Sequence, residues 1–481
     1  MSHFPKPHIA DRAVGALLQG IQRFAPGRGQ ANPWLEGSYA PVNAEVEEAA
    51  LRVTGSVPPE LDGLFARIGP NPVRPPKHPG RYHWFTGDGM VHGVRLSEGR
   101  ALWYRNRWVR TNPVSRALGE PPAPGPRRGI FDTVNTNVIA HAGQIWALVE
   151  AGPFPVKLDA RLETAAHTDL GGTLNTPFSA HPHRDPATGE LHAICYDAKV
   201  QNRLFHVAVD HEGRVMRRLD IPVQHGPMVH DCALTGRHVL IFDLPVTFSP
   251  RQLLRGNPMP YAWNPRHEAR IGLLPRADGA TAENILWCAV DPCFVFHSCN
   301  AFDLPDGRVQ LDVVVHDRMF ATSMTGPDSR RVTFERWLLD PERGATDRTV
   351  VDERGQDFPR MNEQLATRPY RYAYTVSFGG DASGGTRLLK HDLETGQTHT
   401  HRHGPGRETG EAVFVPRQSA SAEDDGWLLS YVYDANSQTS DLVILNAQDV
   451  TGPPQAIVHL NHRVPHGFHG NWISTDEVAC K

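Results

Sequence analysis

No run of about 18 consecutive apolar residues occurs in this 481-residue chain, so no helix of it is expected to span a bilayer. The N-terminus also lacks the basic-then-apolar layout of a secretory signal. The six cysteines (Cys195, Cys232, Cys288, Cys293, Cys299 and Cys480) form no CxxC pair and no disulfide-framework spacing. That pattern predicts reduced thiols and a cytoplasmic protein. Neither charge sign prevails: 49 Lys and Arg stand against 53 Asp and Glu, a formal charge of −4, and the basic residues form no stripe. A general nucleic-acid binder is thereby excluded. There is no G-x-S-x-G, no H-E-x-x-H, no P-loop and no strand-associated G-x-G-x-x-G.

What the chain does have is 43 glycines and 41 prolines, too many breakers for a mainly helical protein. From about residue 50 the pattern is short apolar-alternating runs closed by an acidic-x-Gly turn. Examples are "VHGVRLSEGRALWYRNRWV", "HVAVDHEGRVMRRLDI", "LPDGRVQLDVVVHD" and "LLKHDLETGQTHTH". Each is a hairpin signature. Many hairpins with no Gly/Ser linker between them predict a closed all-β architecture, a propeller or a large barrel, because closure removes free strand edges. Two Pro-rich stretches interrupt the strands, 110–130 and 244–275, and their length marks them as caps or lids. Upstream, Val14, Leu17, Leu18 and Ile21 keep helical spacing. Two readings fit this segment: a helix packed on its own domain, or a peripheral membrane anchor. The domain organisation is therefore an amphipathic segment over 1–36, followed by one β domain over 37–481.

Histidine is the conspicuous chemical residue, at 26 copies. The tract "THTHRH" (398–403) follows a Gly turn on a polar alternating segment and reads as a solvated hairpin face. Four others lie in apolar, strand-like settings: His181 in "TPFSAHPH", His230 in "GPMVHDCAL", His297 in "PCFVFHSCNAF" and His469 in "VPHGFHGNW". Singly, each is better explained as a satisfied core histidine than as a ligand. Their separations are 49, 67 and 172 residues. With roughly 50 to 65 residues per propeller blade, those gaps are one, one and about three blades, which would let all four converge on the axis.

The chain resembles the carotenoid cleavage oxygenase family in collinear order over nearly its whole length. The matching segments include "GSVPPELDGLFARIGPNP" (55–72), "YHWFTGDGMVHGV" (82–94), "NTNVIAHAGQIWALVEAG" (135–152), "AHPHRDPATGE" (180–190), "VHD" (229–231), "FHSCNAFD" (296–303), "DFPRMN" (357–362), "GEAVFVPR" (410–417) and "GFHG" (467–470). The resemblance implies a seven-bladed β-propeller with a helical and loop cap over the active-site face. It also implies one Fe(II) per chain held by His181, His230, His297 and His469. His183 falls outside that set; His181 is expected at the end of an inner strand, with Pro182 ending its pairing and "DPATGE" as the following turn.

Three carboxylates are implied to accept the far ring N–H of three of these histidines: Glu150, Glu411 and Asp357. Asp357 departs from the family's usual Glu and is one methylene shorter, so its bond must be rebuilt by a backbone shift or through water. Thr136 in "NTN" is implied to lean its methyl toward an open metal position, leaving another for dioxygen. Four neutral imidazoles suit Fe(II), and an electron-rich alkene cleaved by O2 to two carbonyl products needs no docked reductant. Val149, Phe178, Phe296 and Phe468 are the expected substrate-tunnel residues. Relatives that cut hydroxystilbenes carry Lys where this chain has Val149, so the resemblance favours a carotenoid or apocarotenoid over a stilbene or other phenylpropenoid alkene.

An isomerohydrolase of the retinoid type lacks its usual sequence surroundings here, and a non-catalytic scaffold would have no need of the histidine set. The implied partners are O2 and an apolar polyene, with no nucleic acid and no protein partner. Peripheral membrane contact is expected through the N-terminal segment and through Phe248, Leu253, Leu254, Met259, Tyr261 and Trp263.

Overall fold

The structure, a computed structural model, describes residues 31–129, 132–323, 326–378 and 385–478. The amphipathic run at 10–25 lies outside the described residues. All four quoted hairpins form as expected: Gly89–Ser97 with Arg100–Trp108, Val200–Val209 with Val215–Pro222, Ser298–Asp303 with Val309–His316, and Arg387–Asp392 with Gln397–Arg402. At the first turn Glu98 and Gly99 have φ of 50° and 72° between the paired residues Ser97 and Arg100. Two consecutive positive φ angles match the right-handed twist of the flanking strands.

The strands assemble into seven blades around one axis, five of them four-stranded, with a fifth strand (Glu47–Ala49) on the first blade and two further strands on the seventh. In chain order the innermost strands of blades two to seven are Asn137–His141, His183–Arg184, Cys232–Leu234, Ser298–Asp303, Gln356–Arg360 and Val413–Pro416. The fourth and fifth blades are joined through one parallel pairing of their outer strands, Ala289 with Ala345, and so share an eight-stranded sheet. The first blade takes its innermost strand from the far end of the chain: Gly470–Ser474 pairs antiparallel with Gly63–Pro70. Reciprocally, Val53–Gly55 pairs on the outside of the seventh blade with Ala456–His459. This double exchange leaves the ring without a seam, which is how the fold avoids exposed sheet edges.

Apolar side chains pack between neighbouring blades all the way round. Leu64 and Ile68 of the first blade meet Val138 and Val156 of the second; Tyr374 and Leu388 of the sixth meet Leu428 and Val443 of the seventh. Phe65 and Val94 close the circle on Leu429 and Leu442. Each such side chain taken out of water stabilises the fold by roughly 1.5–3 kcal/mol. The tract at 398–403 corrects the expectation of a wholly solvated face. His399 and Arg402 are exposed, but His401 is buried with Nδ1 2.7 Å from the Val450 carbonyl. On this outer strand alternate residues face the next blade, and its polar sequence hides that.

The excursions that cap the propeller leave from strand ends lying beside the starts of the innermost strands. They follow Gly63–Pro70, Arg100–Trp108, His238–Asp243 and Val309–His316. Within 110–130 the chain forms the helix Asn112–Leu118, capped by the Thr111 hydroxyl and ended by Gly119 at φ 74°. The second stretch is shorter as a cap than the range 244–275. It holds the hairpin Val246–Phe248/Tyr261–Trp263 and the helix Pro250–Leu254, whereas Arg270–Pro275 is the third strand of the fourth blade. Among the described residues no helix is long and apolar enough to cross a membrane.

Candidate metal centre on the propeller axis

Each of the seven blades brings one polar residue to the start of its innermost strand. In blade order they are His469, Thr136, His181, His230, His297, Asp357 and Glu411. His181 precedes its strand, His183–Arg184, by two residues, so it lies at the strand's beginning and not at its end. The hairpin turn at 185–190 follows as expected. His181, His230, His297 and His469 each offer a ring nitrogen, and these atoms all lie within 4.8 Å of one another, a group able to hold a metal ion. Ring centroids are 4.4 Å apart for His181 and His469 and 5.2 Å for His230 and His297.

Carboxylates stand behind three of the rings. His297 Nδ1 is 2.8 Å from Asp357 Oδ1, and His469 Nδ1 is 3.0 Å from Glu411 Oε1. His230 Nδ1 lies 2.7 Å from Glu150 Oε2, with the carboxylate off the N–H axis. Each carboxylate is held in turn. Glu411 Oε2 accepts the Gly470 N–H at 2.9 Å, and its Oε1 is 3.4 Å from Arg360. Glu150 Oε1 accepts the Tyr196 hydroxyl at 3.0 Å. Asp357 Oδ1 accepts the Phe358 N–H at 2.8 Å, and Oδ2 is 3.3 Å from His316 Nε2, whose Nδ1 is 2.8 Å from Ser329 Oγ.

Burial opposes ionisation of Glu411, but the charges of Arg360 and His469 outweigh it and hold the carboxyl down at about 2. Asp357 is likewise buried, and its bonds to His297 and His316 keep it well below the usual carboxylate range. His181 has no carboxylate; burial and the adjacent imidazoles push it well below the ordinary histidine value, so it is neutral. The Nε2 atoms of His181 and His297 are buried and have no partner.

Thr136 is buried beside this group. Its hydroxyl donates to Asn135 Oδ1 at 2.9 Å, its N–H to the Leu148 carbonyl at 3.0 Å, and its carbonyl accepts the His469 N–H at 3.1 Å. On the cap side the rings pass into an aromatic cluster. Phe296 stands edge-on to His230 with centroids 5.2 Å apart, and Phe85 contacts Phe296, Phe320 and Phe468. Trp84 contacts Phe468 at 4.5 Å. Of the tunnel residues expected from sequence, Phe296 and Phe468 belong to this cluster. Phe178 instead packs in the core between the second and third blades, and Val149 lies half-buried against the core between the first and second.

Tyr196, His316, Phe85 and Phe320 are the participants that sequence reading missed. Tyr196 and His316 are ordinary strand residues in sequence, and nothing local marks the polar group each one meets. His183 is outside the four-histidine group; its Nε2 is 2.7 Å from Asp231 Oδ1.

A seven-bladed propeller with four imidazoles gathered on its axis under an aromatic cap defines the protein as a β-propeller built around a group able to hold a metal ion. The family model described as retinal pigment epithelial membrane protein matches residues 39–474. A carotenoid cleavage oxygenase of Mycobacterium tuberculosis is 42% identical, the match covering 92% of this chain and 98% of that protein. The apocarotenoid-15,15'-oxygenase of Synechocystis is 32% identical over 92% of this chain and 96% of its own. Among solved structures, Pseudomonas brassicacearum lignostilbene dioxygenase superposes with a TM-score of 0.83 at 26% identity, covering 93% of this chain and 99% of that one. The chain belongs to the carotenoid cleavage oxygenase family.

Proposed function

We propose that this protein is a non-haem Fe(II)-dependent dioxygenase that cleaves a C=C bond of a carotenoid or apocarotenoid with O2, giving two carbonyl products. The observation that carries this reading is the axial group of four histidines, with the buried, unpartnered Nε2 atoms of His181 and His297. A buried acceptor left without a partner costs roughly 1–3 kcal/mol, a cost that a metal ion at the centre of the four rings would remove. Four neutral nitrogen donors suit Fe(II) and would leave it its full 2+ charge. Bound there, Fe(II) would supply the activation of O2 beside the alkene.

The rest falls to the chain's own residues. We assign His181, His230, His297 and His469 as ligands. Asp357 and Glu411 accept the Nδ1 protons of His297 and His469 and so aim those two Nε2 atoms at the centre, while Glu150 stands 2.7 Å behind His230 Nδ1. Thr136, its hydroxyl engaged by Asn135, stands beside the ligands and limits access to the metal. Phe85, Phe296, Phe320 and Phe468 offer an apolar surface against which a polyene is held and from which water is excluded.

The names of the Mycobacterium and Synechocystis relatives support a carotenoid or apocarotenoid substrate, as does the apolar Val149. The likeness to lignostilbene dioxygenase favours a second reading, the same chemistry on a stilbene. Iron content and O2 uptake of His297→Ala beside the native protein test the site: both should be lost, and their retention would reject it. Offering an apocarotenal and resveratrol, with aldehydes identified by mass, tests the substrate; turnover of resveratrol alone would select the second reading. A corollary is peripheral contact of a cytoplasmic protein with a membrane at the cap, where Leu254 is 72% exposed. Co-sedimentation with lipid vesicles, lost in Leu254→Glu, tests it.

A further inference from the structure

The four imidazoles have a second side. Away from the aromatic cap, a cavity of about 200 Å³ continues along the propeller axis. It is lined by residues that follow the histidines along the innermost strands: Ile139, His183, Asp231, Ser298, Arg360 and Asn471 among them. Beyond the far ends of those strands it meets Pro186, Glu363, Ala366 and Glu477. Pro186 and Glu363 are exposed, so the cavity opens to solvent on the face opposite the cap. His181, His297 and His469 form its inner wall.

The two sides differ in chemistry. The cap side presents the rings of Trp84, Phe85, Phe296, Phe320 and Phe468. The axial cavity carries four carboxylates (Asp231, Glu363, Glu411 and Glu477) against two guanidiniums, Arg184 and Arg360. Arg360 is held by Glu363 and lies 3.4 Å from Glu411, which spends its charge inside the wall. Midway, Asp231 is fixed by the Ser298 N–H at 2.7 Å and hydroxyl at 2.9 Å and by the Cys232 N–H at 2.7 Å. It holds His183, whose ring is partly exposed. A cavity of this size accommodates several waters at about 30 Å³ each. A dication crossing the aromatic side would have to shed its water with nothing in exchange, whereas here it keeps part of its shell and meets oxygen donors.

We infer that this axial cavity is the passage through which hydrated divalent metal reaches the four histidines, separate from the aromatic side that takes the substrate. The negative lining draws the cation inward, and Glu363 acts at the mouth. The inference rests on the four histidines being metal ligands, as proposed above.

The test is the rate of Fe(II) uptake by chelator-stripped full-length protein under anaerobic conditions, quenched with excess chelator at intervals and read as protein-bound iron. Reversing the mouth charge with Glu363→Lys should slow uptake about 10-fold at low salt. The deficit should shrink at 0.5 M salt, where the Debye length falls to about 4 Å. Final iron stoichiometry should match the native protein, which also shows that the variant is folded. Glu363→Gln should lie between the two. Narrowing the other side with Phe320→Trp should leave the uptake rate unchanged. Native rates in Glu363→Lys, or slowing by Phe320→Trp alone, would overturn the passage. If the native protein takes up no iron at all, the ligand assignment itself fails, a different outcome.

Discussion

His297 and Asp357, 60 residues apart in the chain, meet with Nδ1 and Oδ1 2.8 Å from each other. The carboxylate is the shorter of the two acidic side chains, yet it reaches the ring directly, without water between them. The innermost strand of the sixth blade bulges between Asp357 and Arg360, and Phe358 has φ of 56°. A bulge re-aims a side chain in this way. Of the two remedies expected for the missing methylene, the backbone supplies the contact.

Asp357→Asn keeps the shape but replaces the carboxylate that accepts from His297. Metal affinity should fall about 10- to 100-fold, the usual effect of losing a partner that orients a ligand. Competition with a graded chelator, read as bound iron, measures it; unchanged affinity would mean that Asp357 does not orient His297.

Tyr196→Phe removes only the hydroxyl that donates to Glu150 Oε1. With Glu150 free to turn, His230 loses its fixed orientation, and kcat should drop about 3- to 10-fold with KM changed by less than about 2-fold. Steady-state rates with an apocarotenal separate the two parameters. An equal fall in stability and in kcat would point to a packing role instead.

Gly89 opens a strand where any Cβ would sit 1.8 Å from the Val134 carbonyl oxygen. Because that neighbour is backbone, the first blade cannot yield without pulling away from the second. Gly89→Ala should destabilise the protein by about 3 kcal/mol or more, visible as a lowered thermal midpoint or as insoluble protein.

Glu335 is buried in the fifth blade, far along the chain from any axial residue. It accepts from Thr333 Oγ1 at 2.8 Å, Trp337 Nε1 at 2.8 Å and Arg348 Nε at 2.9 Å. Burial opposes its ionisation, but these bonds outweigh it and lower its pKa below the ordinary 4.5. A depressed carboxyl adds stability that is complete above about pH 4.5 and is lost as pH falls through the folded value. Glu335→Gln should therefore cost about 1–3 kcal/mol at pH 7, and its gap from the native protein should close below pH 4.5. Thermal midpoints of both proteins between pH 3 and 7 check the sign.

Much of the fold is local and so can be read from the chain. Alternation with acidic-x-Gly turns places four hairpins correctly, because a strand's period and a turn's positive φ depend on neighbouring residues alone. Gaps of 49, 67 and 172 residues likewise place His181, His230, His297 and His469 one, one and three blades apart. What the sequence could not decide is which distant group each side chain meets. Phe178 and Phe296 look alike beside their histidines, but one is sealed between blades and the other faces His230. Tyr196 and His316 carry no local mark at all, and neither does the cavity behind the imidazoles. Those relationships arise only when ring closure brings the starts of seven strands together, since a contact between residues on different blades is set by how the blades pack and not by any one stretch of the chain.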